Sequence, residues 1–119
     1  MSVSRNYYVI AGYDLTDMTT DKFDDWVWSK EGEEYTCYQR KGKIQLFTDP
    51  MNGSYIYLGF ILADGDMYEY ETSKFKVEDI TAVYGDVKAE LFKLIEMGMI
   101  TRDPRIIPEY QIITFEECT

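Results

Sequence analysis

The segment Ser54–Ala63 (SYIYLGFILA) is apolar at almost every position, and the interpretation of the rest of the chain depends on it. An unbroken apolar run of this length is typical of a central strand that is covered on both faces. Asp49–Gly53 (DPMNG) precedes it and Asp64–Asp66 (DGD) follows it, and both segments are rich in residues that favour turns. The sequence therefore predicts a central strand between two turns.

Five further segments combine β-branched and aromatic residues in the manner of strands. They are Arg5–Tyr13, Tyr35–Arg40, Lys43–Thr48, Met67–Thr72 and Glu109–Phe115. Lys41-Gly42 separates two of these segments and is a hairpin signal. We expect a mainly antiparallel sheet of about five to six strands.

Between residues 77 and 98 the apolar period changes to three and four, which predicts one amphipathic helix. Its apolar positions are Ile80, Val83, Tyr84, Val87, Leu91, Leu94 and Ile95. Gly98 fits a C-terminal cap, and Gly85 is expected to kink the helix or to divide it. With 119 residues and no linker-like segment, the chain is expected to form one α+β domain, 1–119, with this helix on one face of the sheet.

The segment Thr19–Ser29 (TTDKFDDWVWS) predicts a short helix with Thr20 or Asp21 as its N-cap. Trp26-Val27-Trp28 fits a strand equally well, so both interpretations stay open. Counting from Asp14 to Glu34, the chain carries eight carboxylates and two lysines around its aromatic residues. Asp24, Asp25, Trp26 and Trp28 are therefore candidates for a partner interface with a charged rim, while the alternative is that Phe23 and Trp26 belong to the core.

The charge balance limits the partners that the chain can have. It has 12 basic and 22 acidic residues, a net charge of −10, together with eleven tyrosines. Such a field repels nucleic acid and anionic membranes and favours encounter with basic proteins. The absence of an apolar signal core or a membrane-spanning run leads us to expect a cytoplasmic protein.

Histidine is absent, which excludes Ser-His and Cys-His nucleophilic sites and imidazole metal ligands. Neither a Walker pattern nor a Gly-x-Gly-x-x-Gly loop is present to hold phosphate groups. We therefore expect a protein that is not an enzyme and has no cofactor.

The segment 63–71 (ADGDMYEYE) is the second acidic candidate. In a strand its carboxylates and its tyrosines would face opposite ways. Such a strand is either a guarded sheet edge or a docking edge that presents tyrosines and steers a basic partner. The docking interpretation uses Asp64, Asp66, Tyr68, Glu69, Tyr70 and Glu71. A carboxylate metal site or small enzyme built on Asp64 and Asp66 is the alternative, although the spacing does not match a calcium loop.

Three runs resemble small uncharacterised proteins of large tailed phages that infect Gram-positive bacteria. They are YYVIAGYDLT at 7–16, KGKIQLFTDPMNGSYIYLGFILADGD at 41–66 and FEECT at 115–119. The resemblance implies an accessory protein of infection, a class in which many small acidic members bind and redirect host proteins.

Together with the charge, the resemblance leads us to expect a protein that docks on a basic surface of a host protein in the host cytoplasm. One version of this expectation has it competing with nucleic acid. A structural phage protein that self-associates, for example as a homodimer through strand edges, is a further alternative.

Overall fold

The computed structural model describes residues 5–36, 42–48, 55–66, 74–101 and 108–118; the side chains of Arg5, Asp66, Glu117 and Cys118 lie outside the description. In chain order the elements are β1 (Arg5–Asp14), α1 (Phe23–Val27), α2 (Lys30–Thr36), β2 (Ile44–Thr48), β3 (Ile56–Asp66), α3 (Val77–Ala82), α4 (Tyr84–Glu96) and β4 (Gln111–Cys118). The predicted α+β class is confirmed.

Within the described residues, four strands form one antiparallel sheet in the order β2-β3-β1-β4, fewer than the five to six expected. The run 54–63 supplies most of β3, which has partners on both sides, so its prediction as a central strand is confirmed. Part of the predicted strand 35–40 is wrong, because Tyr35 and Thr36 end α2. Residues 37–40 and the predicted strand 67–72 lie outside the described residues.

The predicted turn at Asp64–Asp66 is also wrong, because these residues are the last three of β3. Asp64 pairs with Tyr8 and Gly65 with Tyr7. The ring of Tyr7 lies over Gly65, since a Cβ on that glycine would approach the ring Cε1 to 2.7 Å. Pairing with the long strand β1 and the cover from Tyr7 therefore override the local turn preference of Asp-Gly-Asp.

Both faces of the sheet carry apolar clusters. The helices cover one face, where a core forms from Tyr13, Leu15, Met18, Phe23, Trp26, Val27, Leu46, Ile56, Leu58, Val87, Leu91, Leu94 and Ile100. The opposite face carries Tyr8, Ile10, Phe47 and Ile61, with Tyr55, Tyr57, Ile113 and Phe115 packed against them. The aromatic rings of this second cluster contact one another at centroid distances such as 5.1 Å between Tyr8 and Phe47.

The predicted helix 77–98 is two helices, and the break falls at Val83 rather than at Gly85. Gly85 lies inside α4, where an added methyl group would meet nothing within 4 Å. Gly98 ends α4 as predicted, with a φ of 80°. The N–H of Gly98 donates to the carbonyl of Ile95 and the N–H of Met99 to that of Leu94, the paired hydrogen bonds of a Schellman cap.

Candidate docking surface around Trp28

The first acidic candidate, the zone around Asp24, Asp25, Trp26 and Trp28, is built on α1. Of the two conformations predicted for the segment Thr19–Ser29, the helix is therefore the correct one. The predicted caps are wrong: Lys22 holds the N-cap position and makes no side-chain capping hydrogen bond. Thr20 is used elsewhere, because its hydroxyl donates to the carbonyl of Gly98 and its N–H to that of Met99. The approach to α1 is thereby fixed to the C-terminal end of α4.

The two tryptophans have different environments. Trp26 is 7% exposed and its ring lies 5.9 Å from that of Phe23 and 5.2 Å from that of Tyr35, so it packs in the core. Trp28 is 72% exposed. Residues two apart on a helical turn point to nearly opposite sides, which explains the difference. Of the two candidates, Trp28 is the one that a partner can cover.

Two acidic residues are spaced to share a helix face with Trp28. Asp24 and Asp25 precede it by four and three residues, the spacings at which side chains are neighbours on one helix face, and both are exposed. Exposed Glu31 of α2 lines the same surface depression as Asp25. We call Asp24, Asp25, Trp28 and Glu31 the Trp28 surface.

The depression beside the Trp28 surface is shallow and has a volume of about 590 Å³. It is lined by Lys22, Asp25, Trp26, Ser29, Lys30 and Glu31. Two basic and two acidic residues therefore share its lining with Trp26 and Ser29. Its mixed charge is better suited to accommodate polar side chains of a protein than to hold a small anion.

The junction between α1 and α2 fixes where Trp28 stands. Ser29 caps α2, since its hydroxyl oxygen accepts from the N–H of Gly32 at 3.3 Å and donates in turn to the carbonyl of Trp26. Gly32 is buried, and a Cβ there would lie 2.2 Å from the carbonyl oxygen of Trp26 and 2.6 Å from that of Val27. Only glycine lets the two helices approach this closely.

Neither Ser29 nor Gly32 was among the residues predicted to form a site. Ser29 three residues before a glycine gives only a weak capping signal, because serine is common at many turns. The need for glycine at position 32 arises from the backbone of α1, which sequence periodicity does not reveal.

The second acidic candidate is described only in part. Asp64 is exposed on β3, opposite Tyr8 of β1. The side chain of Asp66 and the residues Tyr68, Glu69, Tyr70 and Glu71 lie outside the described residues. Within the part of the chain that the structure describes, no three Asp, Glu, Cys or His side chains are grouped so that they could hold a metal ion.

Several tyrosines have structural environments on the helical face. Burial and the neighbouring Tyr84 raise the pKa of Tyr13 to about 12. The ring of Tyr110 lies 5.7 Å from that of Tyr13 and 4.8 Å from that of Tyr84, and its hydroxyl donates to the carbonyl of Ile80 at 2.7 Å. These contacts join the sheet to α3 and α4, so the three rings have a packing role.

None of the described helices has the length and apolar character needed to cross a membrane. Comparison of the chain with protein-family models, with curated proteins and with solved structures found no match.

Proposed function

We propose that this protein is a non-enzymatic, acidic binding protein that docks through the Trp28 surface onto a basic surface of another protein. The observation that supports the proposal is the 72% exposure of Trp28, with exposed Asp24 and Asp25 four and three residues before it. A tryptophan left in water is a large unburied apolar area, and tryptophan is among the residues that most often dominate the binding energy of an interface.

The charges supply the second part of the mechanism. The net charge of −10 attracts a basic partner over a distance of about one Debye length and speeds the encounter. Burial of Trp28 then slows dissociation. Salt should therefore weaken binding mainly through the association rate, and removal of the indole should act mainly on the dissociation rate.

We further propose, from the resemblance to phage accessory proteins, that the protein acts in the cytoplasm of a Gram-positive host. A basic host surface that ordinarily contacts nucleic acid would be a suitable target, because carboxylates could occupy the sites of phosphates there. The protein would then act by steric and electrostatic competition.

An affinity capture from Gram-positive lysate tests the proposal. The wild type is compared with Trp28→Ala, with Asp24→Asn/Asp25→Asn and with Phe92→Ala, a control aromatic that is 44% exposed on α4. We expect one basic protein to be retained by the wild type and by Phe92→Ala, to be released by salt, and to be lost with Trp28→Ala. Retention by Trp28→Ala at the wild-type level would refute the role of the Trp28 surface.

The variant Glu69→Lys/Glu71→Lys is included in the same experiment to test the acidic segment 63–71. If this variant alone loses the captured protein, the docking surface is the second acidic candidate and not the first. The carboxylate-site alternative on Asp64 and Asp66 predicts that Ca²⁺ or Mg²⁺ raises the unfolding temperature, because a ligand that binds only the folded state stabilises it.

A further inference from the structure

Among the described residues, strand β4 is the last strand on one side of the sheet. Its pairing partner among the described residues is β1, and that ladder runs without a register shift from Arg5 opposite Cys118 to Gly12 opposite Gln111. The strand spans eight residues, QIITFEEC, and contains no lysine, proline or bulge. Lysines, prolines and bulges are three of the devices that keep a sheet edge from pairing with another chain, and the charged residues that β4 does carry, Glu116 and Glu117, stand near its C-terminal end.

The opposite edge is built differently. Strand β2 is only five residues long and packs against α2. The side-chain amide of buried Gln45 donates to the carbonyl of Thr36, the last residue of α2, at 2.9 Å. The β2 edge is thus tied to a helix, whereas β4 exposes 47% of Ile112 beside its edge.

The centre of β4, Ile113-Thr114-Phe115, can pair with its own copy about Thr114. If two copies pair antiparallel with their Thr114 residues opposite each other, Ile113 meets Phe115 and Ile112 meets Glu116. The carboxylates of the strand are confined to its C-terminal end, so this arrangement places them at opposite ends of the interface instead of side by side. Two exposed threonines face each other at the centre, which is a favourable cross-strand pair.

We propose that β4 pairs with β4 of a second copy about a twofold axis at Thr114, which joins the two four-stranded sheets into one of eight strands. Each copy carries a net charge of −10, so repulsion opposes the association. Salt therefore strengthens the dimer, the opposite of its effect on docking to a basic partner. This inference does not depend on the proposed docking function.

Sedimentation of the purified full chain over a concentration series tests the association. The series is run at about 0.1 M and at about 1 M salt, because the Debye length falls from about 10 Å to about 3 Å between these two concentrations. We expect a monomer–dimer equilibrium that shifts toward dimer at high salt. Thr114→Glu should weaken dimerisation about fivefold by placing like charges opposite each other, and Thr114→Val should not. A monomer at every concentration and both salt levels would overturn the proposal.

Disulfide trapping tests the register in a Cys37→Ser/Cys118→Ser background. Thr114→Cys places two thiols at opposed Cα atoms about 4.5–5.5 Å apart, within the range of a disulfide. Ile112→Cys on the same strand places them about 14 Å apart, because the two positions are offset by four residues. Faster trapping of Thr114→Cys supports the register, whereas equal trapping or faster trapping of Ile112→Cys would contradict it.

Discussion

The substitution Gly32→Ala tests the packing that positions Trp28. The added methyl group would lie 2.2 Å from the carbonyl oxygen of Trp26, 2.6 Å from that of Val27 and 2.7 Å from the Cα of Val27. These are backbone atoms, so a rotamer change cannot relieve the overlap. Overpacking of this kind costs about 3 kcal/mol, and the better helix propensity of alanine returns about 1 kcal/mol. We therefore expect a net destabilisation of about 2 kcal/mol.

Gly85→Ala is the matched control for this substitution. Gly85 also lies in a helix, its φ is not positive, and a methyl group there would meet nothing within 4 Å. The same change should therefore raise the free energy of unfolding, by up to about 1 kcal/mol. The two substitutions are expected to have opposite signs because only one of the glycines touches another helix.

Urea denaturation followed by tryptophan fluorescence measures both effects, since buried Trp26 lies next to the substituted junction. Gly32→Ala should lower the denaturation midpoint without changing the slope, and Gly85→Ala should raise it. If Gly32→Ala proved as stable as the wild type, or more stable, the close approach of α1 and α2 would be incorrect. The placement of Trp28 on a fixed helical junction would then have to be abandoned.

Three further expectations concern titration, the core and the exposed tryptophan. The pKa of Tyr13 is raised from 10.0 to about 12 in the folded protein. As pH rises above 10, the Tyr13 hydroxyl therefore loses its proton in the unfolded state before it does so in the folded state. The free energy of unfolding should consequently fall between about pH 10 and about pH 12. Denaturation at about pH 9 and about pH 11 checks the sign, and Tyr84→Phe should lower the pKa of Tyr13 in a phenolate absorbance titration. Leu94→Ala should destabilise the fold by about 2–5 kcal/mol because Leu94 is fully buried. Phe92→Ala, on the exposed side of the same helix, should cost about 1 kcal/mol or less. Equal losses of stability in the two variants would contradict the assignment of the core face of α4. Trp28→Ala should leave the thermal midpoint within about 1 °C of the wild type, because an exposed residue contributes little to the fold, and a large decrease would show that Trp28 is instead a packing residue.

Local pattern was sufficient for much of the fold. The apolar run at 54–63 predicted a central strand, the three-and-four period predicted the buried positions Val87, Leu91 and Leu94, and Gly98 predicted the end of α4. In each case the signal lies within a few residues of the element that it predicts.

The errors arise where distant residues decide the local conformation. Asp64–Asp66 extends β3 because β1 is long enough to pair with it and Tyr7 covers Gly65. Thr20 does not cap α1 because its hydroxyl has a partner at Gly98, 78 residues away in the sequence. Neither interaction can be read from a window of neighbouring residues.

The candidate docking surface, too, could be predicted from the sequence only in part. Composition alone indicated an acidic zone with aromatic residues, but not which tryptophan is exposed. The helical geometry of α1 buries Trp26 and exposes Trp28, and the strand interpretation of Trp26-Val27-Trp28 would have placed both side chains on one face.

The most direct test of the docking proposal is the binding kinetics of the captured and purified basic protein with the wild type, Trp28→Ala and Asp24→Asn/Asp25→Asn. We predict that Trp28→Ala raises the dissociation rate about 30-fold, the equivalent of about 2 kcal/mol, while the double variant mainly lowers the association rate and its dependence on salt. Unchanged rates for both variants, with a partner that still binds, would contradict the proposal and move the interface away from the Trp28 surface.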